Sequence, residues 1–250
     1  GANLNSQMQD LIVEGEPVGV IKGFRTKGIA KDQAEIDRLN AQAAAKGYGA
    51  YQTSLGVGDY ILEDVNGDGR ITSDDRTVIG SPLPKFFGGW NHTLTYRNVD
   101  LSLFMQFSQG GKAFYSDVGL DLESTLGQSI TRETFRRTWT PERRDALFPR
   151  LVYGQYSSYN AKTNDRMIYS TSYLRMKNIT LTYRLPKAAL RLVGVQSASV
   201  FAMVTNLFTL TAWPGLDPEL VGSGIHRGQG NDADPYPLSR TVSFGVHLQF

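Results

Sequence analysis

The chain of 250 residues carries 26 basic and 24 acidic side chains, so its formal net charge is only +2. Such a close balance of basic and acidic side chains argues against a surface that binds nucleic acid or another polyanion. The lack of cysteine excludes disulfides, thiolate metal sites and cysteine nucleophiles. No run of 18 apolar residues is present, so the sequence predicts no helix that crosses a bilayer.

Alternation of apolar and polar residues predicts several β-strands. The first candidate, Val18 to Arg25, is short and weak. The alternation is clearer from Trp90 to Tyr96 and again from Val99 to Gly110, and the residues between these two runs predict a tight hairpin. Three more strands are predicted further on, at Leu174–Leu185, Ser197–Thr209 and Thr241–Phe250. Because Lys177-Asn178 shifts the alternation by one residue, we expect a β-bulge there.

Two short helices are predicted in the segments that connect the strands. Asp32 to Lys46 is rich in alanine and other helix-forming residues and is followed by Gly47, a typical helix C-cap. Thr131 to Thr138 predicts a second helix that ends before Pro141. We expect both as local structure on loops, not as a separate domain.

Strand length and connection length together indicate a membrane β-barrel. Except for the weak first candidate, the predicted strands have about 8 to 14 residues, against the 5 to 6 typical of soluble sheets. A tilted membrane strand needs about 9 to 11. Long connections at about 26–84, 111–170 and 210–238 alternate with short ones at 97–99 and 186–196. Outer-membrane barrels alternate long external loops with short periplasmic turns, so we predict an all-β fold of long antiparallel strands.

An acidic stretch in the first long loop has the spacing of a calcium-binding loop. It begins Asp64-Val65-Asn66-Gly67-Asp68-Gly69 and matches the D-x-[DN]-x-[DN]-G pattern. A hard cation prefers six to eight oxygen ligands. The candidate ligands are Asp64, Asn66, Asp68, the carbonyl of Arg70, Thr72 and Asp75. The alternative is a turn that caps itself through side-chain hydrogen bonds and holds no metal. The predicted role of a Ca²⁺ ion is structural.

Aromatic residues supply two further hypotheses. Side chains in the long loops could stack on sugar rings, although barrels also need aromatics at the membrane interface; the candidates are Tyr153, Tyr156, Tyr159, Tyr169, Trp213 and Tyr236. The terminal Phe250, with apolar residues at alternate positions before it, resembles the signal that the outer-membrane insertion machinery reads. The alternative is an ordinary edge strand that ends the chain.

The sequence offers no catalytic constellation. His92, His226 and His247 are far apart, and neither a nucleophile elbow nor a zinc or phosphate-binding motif is present. We therefore expect a protein that is not an enzyme.

Several motifs resemble the C-terminal region of SusC/RagA-type TonB-dependent transporters. The resemblance covers most of residues 15 to 250, and it is carried by Gly58–Phe86, Trp139-Thr140-Pro141, Ser172–Pro186, Thr205–Thr209, Gly215–Glu219 and Tyr236–Gly245. It implies an outer-membrane, 22-stranded barrel closed by an N-terminal plug, capped by a SusD-like surface lipoprotein and driven by TonB. It also implies import of oligosaccharides or peptides without chemical conversion.

The chain departs from that family pattern in extent. Residues 1–250 would supply about six membrane strands, while the plug, the TonB-contacting segment and most barrel strands are missing. Six strands cannot close around a filled interior, and lipid does not tolerate open sheet edges. The alternative function is a secreted, calcium-stabilised β-sandwich that binds carbohydrate. Such a module predicts strands of about six residues and a polar outer face.

Overall fold

The computed structural model describes residues 15–17, 19–115, 130–152, 159–190, 194–221 and 238–250. They form two compact units. The strands in chain order are β1 (Ile21–Gly23), β2 (Thr26–Ile29), β3 (Tyr60–Leu62), β4 (Thr77–Gly80), β5 (Phe86–Tyr96), β6 (Val99–Gln109), β7 (Lys112–Phe114), β8 (Ile168–Ser170), β9 (Tyr173–Arg184), β10 (Ser197–Thr211) and β11 (Thr241–Gln249). The α-helices within the described ranges are α1 (Gln33–Ala45), α2 (Arg132–Arg137) and α3 (Lys187–Leu190). In this part of the chain, no helix is both long and apolar enough to span a membrane.

The first unit comprises the described residues up to Pro82 and those from Lys112 to Tyr169. Its strands are short and pair in twos, β1 with β4, β2 with β3 and β7 with β8. They surround a hydrophobic core made by Phe24, Ala30, Ile36, Leu39, Ala43, Tyr51, Tyr60, Ile61, Leu62, Ile71, Phe148 and Met167. The long connections thus build a core of their own, where the sequence predicted only local structure on loops.

Helix α1 forms where the sequence predicted it, with caps at both ends. The Asp32 side chain accepts a hydrogen bond from the backbone N–H of Glu35 at 2.9 Å, which satisfies one free donor of the first turn. Gly47 follows the helix with a φ of +88°, a conformation that favours glycine. The predicted helix at Thr131–Thr138 is likewise confirmed as α2, with Thr131 as its N-cap.

The second unit contains one antiparallel sheet of five strands in the order β11-β10-β9-β6-β5. Its strands have 9 to 15 residues, which confirms the long strands predicted from the sequence. Strands β5 and β6 are joined by Arg97 and Asn98, and Arg97 has a φ of +53° in this tight turn. The longer turn between β9 and β10 contains α3.

A β-bulge interrupts β9 at the predicted place. Asn178 lies opposite Phe104 of β6, and Met176 lies opposite the next residue, Met105, so Lys177 is the extra residue. On the other side, Thr205 of β10 pairs with Asn178 and Phe208 pairs with Met176. The bulge therefore shifts the alternation of side chains along β9 by one residue, so the apolar residues before and after it lie on the same face of the sheet.

The prediction of a strand over Val18–Arg25 is corrected by the structure. Only Ile21–Gly23 forms a strand, and it pairs with β4 in the first unit instead of joining the long sheet. The described residues supply five long strands, where the sequence predicted about six membrane strands. At Gly23 a Cβ would lie 2.5 Å from the carbonyl oxygen of Thr163, so glycine permits this close approach of two backbone segments.

Candidate functional site

One face of the five-stranded sheet is apolar across all five strands. Directly opposed residues of neighbouring strands share a face, so the strand register defines rows of side chains. The first row is Tyr96, Val99, Tyr183, Val200 and Val246; the second is Leu94, Leu101, Leu181, Ala202 and Phe244; the third is His92, Leu103, Ile179, Val204 and Val242. Trp90, Met105, Met176 and Phe208 continue the pattern beyond the bulge.

Much of this apolar face is exposed. Leu181, in the central strand, is 48% exposed, and Phe244 in β11 is 80% exposed. Scattered apolar residues on a protein surface are ordinary, but a contiguous face of this kind marks an interaction with lipid or with another apolar surface. Long strands and an apolar exposed face are the opposite of what the secreted β-sandwich alternative predicts.

The opposite face of the sheet is mainly polar. Thr95, Asp100 and Thr182 lie opposite one another on neighbouring strands, as do Thr93, Ser102 and Thr180. The hydroxyl of Thr95 donates to the Asp100 carboxylate at 2.7 Å. In β10 the same two rows continue with the apolar residues Phe201 and Met203. Strands β5, β6 and β9 therefore present polar residues on one side and apolar residues on the other, which is the pattern of a barrel wall between lipid and water.

A buried ionic network ties the segment after β10 to the polar face. The Arg175 guanidinium donates to Thr209, Asp217 and Glu219 at 2.8, 2.6 and 2.7 Å. The bulge residue Lys177 donates to both carboxylate oxygens of Glu219 at 2.8 Å. Two cations thus meet two carboxylates, so the network is internally neutral.

Sequence reasoning did not identify this network. Its available signal was the pair of cations at Arg175 and Lys177, which interrupt the apolar and uncharged polar residues that precede Arg184 in β9. Buried cations need partners. Two carboxylates, Asp217 and Glu219, flank Pro218 about 40 residues further along the chain.

The predicted calcium loop is folded around its own side-chain oxygens. The Asp64 carboxylate accepts from the backbone N–H groups of Gly67 and Gly69 at 2.7 and 2.8 Å. Asn66 accepts from the N–H of Asp68 at 2.8 Å, and Asp68 accepts from that of Arg70 at 2.9 Å. Gly69 has a φ of +102°, as the predicted sharp turn requires.

The last predicted ligands lie at the end of the same loop. Asp75 is buried and accepts from the backbone N–H groups of Val65 and Thr72 at 2.9 and 2.8 Å. The Thr72 hydroxyl accepts from the backbone N–H of Asp74 at 3.2 Å. Within the described ranges, no group of three or more His, Cys, Asp or Glu side chains is placed to hold a metal ion. Binding of Ca²⁺ by these residues stays a prediction.

The predicted ligand-stacking aromatics have different outcomes. Tyr153, Tyr156 and Tyr236 lie outside the described residues. Trp213 is 5% exposed, and since stacking on a sugar needs an open ring face, its burial argues against the predicted role. Tyr159 is half-buried in the first unit and lines a cleft.

Other residues singled out in the sequence have clear positions. Tyr169 packs edge-on against Tyr115, with ring centroids 5.8 Å apart, and burial raises its pKa. His92 stacks on Trp90, and His247 lies beside Phe201, at 5.4 and 5.6 Å between centroids. Both histidines are therefore wall residues of the sheet, as expected. Phe250 follows β11 and is 77% exposed; its role as an assembly signal stays a prediction.

The chain is similar along its length to receptors of known class. It is 29% identical over 255 residues to TonB-dependent receptor P3 of Formosa agariphila, a match that covers 100% of this chain and 24% of that receptor. It is 32% identical over 248 residues to receptor P26 of the same organism, covering 96% and 23%. It is 30% identical over 190 residues to TonB-dependent receptor SusC of Bacteroides thetaiotaomicron, covering 75% and 17%. No family model matches the sequence.

Solved structures with the same fold are parts of transporters. The RagAB peptide transporter matches with a TM-score of 0.66 and 20% identity over 92% of this chain and 22% of that chain. The open-open state of the RagAB peptide importer matches with a TM-score of 0.64 and 19% identity over 96% and 24%. These likenesses confirm the predicted fold of long antiparallel strands. The chain spans about a quarter or less of the length of these relatives and solved chains.

Proposed function

The chain belongs to the SusC/RagA type of TonB-dependent transporters, and from this premise we propose that it forms wall and substrate-facing loops of an outer-membrane importer. The exposed apolar face across β11, β10, β9, β6 and β5 is the observation that carries the proposal. Strands of 9 to 15 residues are long enough to cross the hydrocarbon core when tilted. In this role the apolar face contacts outer-membrane lipid.

The first unit supplies the substrate-facing part. Its segments connect or precede the long strands in the sequence, in the positions of the external loops of a barrel with alternating short and long connections. Loops carried on a rigid scaffold are where binding residues concentrate. A loop region with its own hydrophobic core can present such residues in a fixed arrangement.

The imported substrate is an oligosaccharide or, in the manner of the protein named RagAB peptide importer, a peptide. Energy comes from TonB, which would contact a region of the whole transporter outside this chain; the names of the relatives as TonB-dependent receptors support this coupling. A SusD-like surface lipoprotein would cap the barrel. No nucleic acid is involved, in line with the near-neutral charge.

The test uses the full-length protein in its host. After fractionation, the protein should sediment with the outer membrane. Deletion of its gene, and separately a protonophore, should abolish uptake of at least one class in a panel of fluorescent neutral oligosaccharides, acidic oligosaccharides and pentapeptides. Recovery in the soluble periplasmic fraction would contradict the membrane role. Unchanged uptake of every probe after both treatments would contradict the import role.

A further inference from the structure

Within the second unit, a cleft of about 550 Å³ lies at the end of the sheet where the short turns are. Its volume falls within the range of about 300–1,000 Å³ of small-molecule sites. The β5–β6 turn, the β9–β10 turn and one end each of β10 and β11 contribute to its lining. Among the lining residues are Arg97, Arg184, Leu185, Lys187, Leu190, Ala198 and Leu248.

The β5–β6 turn, which forms one wall of the cleft, is held by hydrogen bonds to the end of β9. The Arg184 guanidinium donates to the Asp100 carboxylate at 2.9 Å and to the carbonyl oxygen of Arg97 at 3.3 Å. The backbone N–H of Arg184 donates to the carbonyl oxygen of Asn98 at 2.8 Å. Because these bonds fix the backbone of the turn, a ligand that binds the Arg97 side chain does not require the turn to rearrange.

Arg97 places a positive charge where the apolar face of the sheet ends. Its guanidinium lies 5.3 Å from the centre of the Tyr96 ring, and Tyr96 belongs to the first row of that face and is exposed. The exposed Lys187 adds an ammonium group from the β9–β10 turn. Guanidinium and ammonium groups form strong, charge-assisted hydrogen bonds with oxoanions such as phosphate. Basic side chains at the end of a lipid-facing surface reach the level of the headgroups.

The cleft also has an aliphatic part. Ala198 of β10 pairs with Leu248 of β11 and lies two residues from Val200 in the first row, so both side chains lie on the apolar face. Leu190 of α3 and Ala198 are buried, whereas Leu248 is exposed. The backbone N–H of Leu185 donates to the carbonyl oxygen of Ala198 at 2.9 Å, which holds the β9–β10 turn against β10. A ligand that matches the whole cleft therefore carries both an anionic group and a hydrocarbon portion.

We propose that this cleft binds a membrane phospholipid, whose phosphate pairs with Arg97 and Lys187 and whose acyl chain begins at Leu248. The short turns of outer-membrane barrels lie on the periplasmic side, where the leaflet consists of phospholipids. A phospholipid with its chains along the apolar face brings its phosphate to the level of these turns. The inference rests on the proposed contact of the apolar face with lipid, and it adds the class of lipid and the residues that hold it.

Photolabelling of the purified full-length protein in a neutral detergent tests the proposal. The label is a phosphatidylglycerol with a diazirine in its headgroup, and peptide mapping locates the crosslinks. Labelling should occur within residues 96–98 and 184–190. Unlabelled phosphatidylglycerol should compete at a concentration about tenfold or more below that of diacylglycerol, which lacks the phosphate, or of glycerol phosphate, which lacks the chains. Arg97→Gln combined with Lys187→Gln should reduce labelling of these segments about tenfold.

The matched control combines Lys31→Gln with Arg38→Gln, which removes two positive charges from exposed positions of the first unit. It should leave the labelling unchanged, and equal melting temperatures would show that all variants are folded. Labelling indifferent to the Arg97 and Lys187 substitutions, or absent from both segments, would overturn the proposal. Equal competition by diacylglycerol would overturn the role of the phosphate, and equal competition by glycerol phosphate would identify a soluble phosphate as the ligand. If the protein still sediments with the outer membrane, such a failure leaves the proposed import role standing.

Discussion

The Arg175 guanidinium donates to the Asp217 carboxylate across 2.6 Å, and the two side chains are only 3% and 6% exposed. Charged groups that are buried this deeply destabilise a protein unless they form hydrogen bonds with their partners. Thr209 and Glu219 occupy the other guanidinium nitrogens. The contact therefore fixes where the segment after β10 crosses the polar face of β9.

Removing one partner of this pair should be costly. Arg175→Met removes the guanidinium that the buried Asp217 carboxylate contacts, which we expect to destabilise the full-length protein by about 3–5 kcal/mol in chemical unfolding. The exposed pair Arg184–Asp100, at 2.9 Å in the same sheet, is the control. Arg184→Met should cost at most about 1 kcal/mol. Equal losses for both variants would show that burial does not strengthen the first pair.

A charge on the apolar face should hinder membrane insertion. Leu181→Arg places a guanidinium on the apolar face of the central strand, where contact with lipid would make it cost about 2–4 kcal/mol near the bilayer midplane. Thr182→Arg puts the same residue on the polar face, opposite Asp100, and should insert normally. The heat-modifiable fraction of full-length protein in the outer membrane measures both. Normal insertion of Leu181→Arg would mean that this face does not meet lipid.

Calcium should protect the acidic loop. With Ca²⁺ bound, limited proteolysis of the full-length protein within residues 58–80 should be slower than in EGTA, because a cation would crosslink Asp64, Asp68 and Asp75. The double substitution Asp64→Ala and Asp68→Ala should abolish that difference and leave the strands intact. A wild-type loop cleaved at equal rates in both buffers would favour the self-capped turn.

Alkaline pH should destabilise the first unit through its buried tyrosines. Burial raises the pKa of Tyr60, whose hydroxyl donates to the Leu147 carbonyl oxygen at 3.0 Å. The unfolded state therefore loses this proton at lower pH than the folded state does, so stability is retained below pH 10.0 and falls above it, by up to about 1.4 kcal/mol per pH unit. Tyr60→Phe should flatten the decline, as measured by unfolding between pH 9 and 12. An unchanged slope would mean that Tyr60 does not contribute.

The terminal aromatic should matter for assembly. Deleting Phe250 should lower the amount of full-length protein in the outer membrane, since the terminal residue and the alternate apolar residues of β11 form the predicted insertion signal. Phe250→Tyr keeps an aromatic ring at the terminus and should assemble normally. Wild-type levels of the deletion variant would leave Phe250 as an ordinary end residue.

The long sheet was predictable because each of its strands is marked by a pattern within its own short stretch of sequence. Alternation with period two places Leu174 and Met176 on the apolar face, and its single break at Lys177 marks the bulge. Val18–Arg25 failed for the complementary reason. Its pattern is too short to decide between a membrane strand and a strand packed in the first unit, and that choice depends on β4, more than 50 residues away.

The candidate binding residues were only partly predictable. The tight hairpin that carries Arg97 was predicted from the alternation of its strands, but Lys187 carries no motif and lines the same cleft only after the strands have paired. The Arg175–Asp217 contact likewise joins residues 42 positions apart. Such contacts depend on the path of the chain between them, which hydrophobic periodicity does not specify.

The extra residue at Lys177 sets the reading frame of β9. After Lys177 in the sequence, even-numbered side chains such as Thr180 and Thr182 point to the polar face. Before it, odd-numbered side chains such as Arg175 do so. If this one residue were deleted, the side chains of β9 that precede it would each move to the other face of the sheet. The Arg175 guanidinium would then lie on the apolar face of the sheet and Met176 on the polar face. Loss of one residue from this strand would therefore exchange the faces of many side chains at once, whereas a substitution changes a single side chain.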